Sequence, residues 1–118
     1  MRNQINPSIE NIKNKLKTKS ICIPVRGESM LPTIRPNQKV IVDTISPNSI
    51  YIGDIVLFQV QNMMIIHRII YKEKVDDEVL FLTRGDACDS LDDWVVHENN
   101  IIGVCRFKMK SEPFKVEK

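Results

Sequence analysis

From Ile21 onward, apolar residues come in short runs with a period near two, separated by polar clusters rich in Gly, Pro, Asn or Asp. That pattern predicts six strands: "ICIPV" (21–25), "KVIVDTI" (39–45), "DIVLFQV" (54–60), "MMIIHRIIYK" (63–72), "EVLFLTR" (78–84) and "IIGVCRFKMK" (101–110). Pro24 has no N–H to give to a ladder, so the first run reads as an edge strand. In the fourth run, strict alternation puts Ile65, His67, Ile69 and Tyr71 on one face. Upstream the period lengthens. Ile9, Ile12 and Leu16 recur at helical spacing behind Ser8 as N-cap, which predicts one short helix from Pro7 to about Thr18. The chain then divides into a helical extension at residues 1–20, a β domain at 21–110 and a tail at 111–118. One helix followed by short strands, with no repeat or linker, predicts a mainly β fold built on a small coiled antiparallel sheet.

Composition narrows the functional classes. A chain of 118 residues forms one domain with a modest core. A net charge of +2, with no basic run interleaved with aromatics, gives no reason to expect a nucleic-acid partner. The three cysteines, Cys22, Cys88 and Cys105, include no CxxC pair. They read as free thiols in a reducing compartment, not as a disulfide framework or a zinc knuckle. The longest apolar runs, such as "MMII", are too short to cross a bilayer, and the N-terminus lacks the apolar stretch of a secretory signal. A soluble, cytoplasmic chain without cofactor, metal or membrane span is expected. Docking of the N-terminal helix on a membrane surface or a partner stays open.

Three places carry candidate chemistry. Ser29 stands in "RGESMLPT", where Gly, Ser and Pro make either an ordinary turn or a bend that presents a nucleophile. His67 interrupts the apolar face of "IIHRII", either as a core histidine satisfied by one backbone bond or as a base. The turn "RGDACDSLDDW" holds Asp86, Asp89, Asp92 and Asp93, which either form solvated turns or supply a carboxylate. It lacks the spacing and the closing Glu of an EF-hand loop. Together the three supply nucleophile, base and orienter. A serine hydroxyl needs a base to take its proton, and the base needs a third group to fix its tautomer.

The same residues match a family pattern. "GESMLPT" resembles the nucleophile box of type I signal peptidases and of LexA-type self-cleaving repressors, in which a Ser-Met pair precedes Pro-Thr. "IGDIVLF", "HRII", "LTRGDACDSLDD" and "NIIGVCRF" resemble the boxes that follow, in the same order, from about Ile21 to Phe107. The resemblance implies the coiled antiparallel sheet, or partly open barrel, of the signal peptidase and LexA C-terminal domain type. Most bacterial members carry a lysine base in the third box, whereas this chain has His67. That resembles the endoplasmic-reticulum, archaeal and sporulation-type branch, where an aspartate in the last box supports the histidine. In that branch the aspartate often lies seven positions after the glycine of the Gly-Asp pair, which here is Asp92. Asp86 and Asp93 are the other candidates, Asp86 also as an anchor of its loop.

What the resemblance implies is a serine endopeptidase. Ser29 attacks, His67 is the base and Asp92 orients it, on a substrate that is a leader or signal-type segment of a peptide or protein. The backbone N–H of Ser29 is the expected oxyanion donor, and Gly27 stands where some relatives place a donating Ser. The substrate is expected as an added strand beside "IPVRG", with Pro24, Val25, Arg26, Gly27 and Met30 as binding residues. The absence of an apolar anchor and of an Ala-Gly site in the sequence points to small stand-alone members rather than to anchored peptidases or repressors. The competing class is a binding module that holds a peptide on the same fold without turnover.

Overall fold

A computed structural model of the chain describes residues 20–107. Seven strands run in the order β1 (Ile21–Pro24), β2 (Lys39–Asp43), β3 (Ile55–Val60), β4 (Met63–Val75), β5 (Glu78–Arg84), β6 (Val96–His97) and β7 (Ile101–Arg106). They form one open antiparallel sheet in the spatial order β1-β2-β7-β3-β4-β5-β6. The mainly β architecture and the edge position of Pro24 agree with the sequence. The helix expected at Pro7 to Thr18, the tail and the last residues of the expected sixth run lie outside the described residues.

Two differences have local causes. β6 is only two residues long and pairs with Leu80 and Phe81, too short to leave a periodic signal. Tyr71 does not share a face with His67. The β4–β5 register jumps between Ile69, opposite Thr83, and Tyr71, opposite Leu82, so Ile70 is the extra residue of a bulge. One added residue reverses every later side chain, which turns Tyr71 outward and leaves it exposed.

The hairpin from β3 to β4 turns on Gln61 and Asn62, both with positive φ (50° and 66°), as tight hairpin loops require. β3 is central and buried on both faces, which is why "IVLF" reads as a continuous apolar run. Its alternation feeds two separate cores. Ile55 and Leu57 join Val25, Met30, Ile34, Val40, Val42, Ile102 and Cys105. Val56, Phe58 and Val60 join Ile50, Ile69, Val79, Phe81 and Val96. Apolar side chains therefore pack on either side of β3. Among the described residues, no helix is long and apolar enough to cross a membrane.

Candidate active site

Ser29 sits on a turn between β1 and β2. The turn opens at Gly27, whose φ of 79° lies in the left-handed region that favours glycine. Two backbone bonds hold it, from Leu31 N–H to the Glu28 carbonyl (3.1 Å) and from Ile34 N–H to the Met30 carbonyl (2.9 Å). Met30, 1% exposed, anchors the turn in the first core. A second loop, between β5 and β6, closes over it. Ala87 N–H donates to the Ser29 carbonyl (2.8 Å), and Asp86 N–H lies 3.4 Å from Met30 Sδ. The N–H of Ser29 itself has no acceptor among the described residues.

His67 comes from the middle of β4, opposite Val56 on β3, and is only 7% exposed. The ring of Phe58 meets the imidazole edge-on, with centroids 6.3 Å apart. Asp92 reaches it from the β5–β6 loop, which folds back on β5 through a bond from Asp92 N–H to the Thr83 carbonyl (2.9 Å). Thr83 Oγ1 donates to Asp92 Oδ2 at 2.7 Å. His67 Nδ1 lies 2.7 Å from the same oxygen, and His67 Nε2 lies 3.0 Å from Ser29 Oγ. An ionised carboxylate only accepts, so this network assigns the imidazole proton to Nδ1. Nε2 is left with a lone pair aimed at the serine hydroxyl. The arrangement can take a proton from Ser29 and hold it next to a negative charge.

A second ion pair braces the same loops. Arg68, the neighbour of His67 in β4 and so on its other face, donates from Nε to Asp86 Oδ1 (2.8 Å) and from Nη2 to Asp86 Oδ2 (2.7 Å). Its Nη1 donates to the Gly53 carbonyl (2.8 Å), and Thr33 Oγ1 donates to Asp86 Oδ2 (2.5 Å). The guanidinium's hydrogen bonds hold the Asp86 carboxyl below its ordinary value, and those bonds raise Arg68 in return. One bidentate pair thus ties the Ser29 turn, the Gly53 turn, β4 and the Gly85–Asp86 corner together. Gly85 fills the remaining joint. A Cβ there would lie 2.7 Å from the Ser29 carbonyl oxygen and 3.0 Å from His67 Nε2, so no larger residue fits without movement.

Ser29, His67 and Asp92 are thus brought together, whereas Asp86 is taken up by Arg68, and exposed Asp93 makes no contact with His67 among the described residues. Pro24, Val25 and Arg26 line a groove of about 380 Å³ beside Ser29 and His67, facing Leu57 and the Met64–Ile66 stretch of β4. Gly27 and Met30 do not line it. Gly27 shapes the turn, and Met30 supports the site from within the core because its long apolar side chain fills space beneath the bend. Thr83 and Gly85 were not singled out in the sequence. Thr83 had a readable signal, a hydroxyl on the face that Val79 and Phe81 make apolar. Gly85 had none beyond its place before Asp86, because its constraint comes from a turn far away in the chain.

The family model for Peptidase S24-like proteins matches residues 3–104, and the chain belongs to that family. No curated protein matches it.

Proposed function

We propose that this Peptidase S24-like chain is a serine endopeptidase acting on an extended segment of a peptide or protein, with a leader or signal-type segment as the substrate class. The observation that carries the reading is the unbroken relay from Asp92 through His67 to Ser29, at 2.7 Å and 3.0 Å. In this reading the Ser29 hydroxyl attacks the scissile carbonyl as its proton passes to His67 Nε2. The imidazolium that forms is stabilised by Asp92, which stays ionised. The oxyanion receives the unpartnered N–H of Ser29, an interaction worth about 3 kcal/mol per donor in comparable sites. His67 then returns the proton to the leaving amine, and water, activated by the same imidazole, releases the acyl group from Ser29. The histidine base favours the histidine-containing branch of the superfamily over the lysine-dyad peptidases.

The groove supports an extended substrate. β1 pairs only with β2 among the described residues, and β4 meets β5 only from Arg68 onward, so Met63 to His67 keep one edge free of β5. Both stretches line the groove, and a peptide laid there gains main-chain bonds by strand addition.

The test is cleavage of a randomised peptide mixture, read by mass spectrometry, with labelling by a serine-directed probe. Ser29→Ala should lose turnover by about ten-thousand-fold or more and lose labelling, and adding His67→Ala should cost little further because the two act as one unit. Wild-type turnover in Ser29→Ala would end the reading. Peptide retention without cleavage by the wild-type chain would favour the binding module.

A further inference from the structure

We infer that the groove selects a substrate segment carrying an Asp or Glu within about three residues of the scissile bond, recognised by Arg26; the inference rests on the peptidase reading for the bond but not for the recognition. The lining is otherwise apolar, with Ile23, Val25, Leu57, Met64 and Ile66 among its residues, and Arg26 is its one permanent charge. That guanidinium has no hydrogen bond or ion pair among the described residues, unlike Arg68 on Asp86 and Arg106 on Asp43. Neither carboxylate that braces the site is available to it, and no carboxylate lines the groove. Asp92 serves His67 and Thr83, Asp86 serves Arg68 and Thr33, and Glu28 makes no ion pair with Arg26. Lys39, the cross-strand partner of Pro24, is exposed and also without an ion pair among the described residues, so it adds a second positive charge at this end.

A groove whose lining holds one guanidinium, unpaired among the described residues, and no carboxylate is complementary to a carboxylate brought in by the ligand and repels a basic residue at the same place. Arginine suits the task because its planar fork matches both oxygens of a carboxylate. Position follows from chain connectivity. Arg26 precedes Ser29 by only three residues, with Gly27 turning the chain between them. A strand advances roughly 3.3 Å per residue, so the residue facing Arg26 lies close to the carbonyl that faces Ser29.

The experiment compares the full wild-type chain with Arg26→Gln and Arg26→Glu on the randomised peptide mixture, scoring residue frequencies around each cut. Wild type should favour Asp and Glu over Gln by about fivefold at one position within three residues of the cut, in line with a partly exposed charge pair. Arg26→Gln should abolish that preference, and Arg26→Glu should replace it with a preference for Lys and Arg. Cuts without acidic enrichment, or enrichment unchanged in Arg26→Glu, would overturn the inference while leaving the peptidase reading intact. A second arm removes the dependence on turnover: immobilised Ser29→Ala selects peptides from the same mixture, alone and combined with Arg26→Glu. Acidic peptides retained by the first and not by the second support the recognition even if no cleavage is found. Retention that ignores charge, or no retention at all, overturns it.

Discussion

The two residues at the centre of the site are bonded to each other but supported by different cores. Ser29 rides on a turn that is pinned by Met30 into the cluster of Val25, Ile34, Val40 and Val42. His67 stands in a regular strand against Phe58, part of the cluster of Ile69, Phe81 and Val96. The serine half is held by backbone bonds of a turn and one buried thioether side chain. The histidine half is held by a ladder on β3 and by a polar chain through Asp92 to Thr83. What the contrast teaches is where precision resides. A strand fixes the imidazole through many small interactions, but a serine on a bend needs clamps, and here these are the Ala87 bond, the tightly packed Gly85 and the Arg68–Asp86 pair.

The largest effect should come from breaking the histidine half alone. Asp92→Asn keeps the shape and an acceptor but no longer stabilises the Nδ1–H tautomer and the imidazolium, and turnover should fall about ten-thousand-fold, equivalent to about 5.5 kcal/mol. Thermal melting should move little. A large fall in melting temperature would show that the carboxylate serves the fold more than the base.

A smaller loss should follow from wedging the halves apart. Gly85→Ala sets a methyl against the Ser29 carbonyl and His67 Nε2, and displacement of about 1 Å at the joint should cost about a hundredfold in kcat/KM. Melting should fall as well, since overpacking costs about 1–3 kcal/mol. Wild-type kinetics in this variant would mean that the turn and β4 are not rigidly registered.

The smallest effect belongs to the brace. Asp86→Asn loses the charge of a bidentate pair and should cost about 2 kcal/mol of stability. Because the folded state lowers the Asp86 carboxyl, the contribution is complete above the ordinary carboxylate range and disappears as pH falls through the folded value. The stability gap between wild type and variant, measured by denaturant titration, should be constant from neutrality to about pH 5 and shrink below about pH 4. The raised Arg68 changes nothing in that window, since it stays charged throughout. A gap that closes near neutrality would assign the brace to another group.

Much of this was legible along the chain because strands announce themselves. Alternation found six of the seven strands, proline marked the edge, and His67 stood out as the one imidazole on an apolar face. The resemblance, and not alternation or composition, pointed to Asp92 for His67 and to Asp86 for the loop; Asp92 lies against His67 and Asp86 against Arg68. The bulge at Ile70 was not legible, since an inserted residue in a β-branched run leaves the composition unchanged while reversing Tyr71. Nor was the grip of Arg68 on Gly53 and, through Asp86, on Thr33, because it joins turns distant in sequence through one ion pair.

The edge of β1, unpaired among the described residues, has a consequence for association between copies. Unpaired main-chain groups that welcome a peptide strand also welcome the same edge of another copy, and growth from such an edge is how sheet proteins aggregate. β1 is short, and Pro24 removes one donor from it, which limits the number of rungs a second copy can form. Arg26, just past the end of β1, adds to this: pairing of two copies along β1 would bring two guanidinium groups, neither ion-paired among the described residues, to one seam. On the recognition proposed above, the charges that would tell one incoming strand from another would also oppose the pairing of two copies.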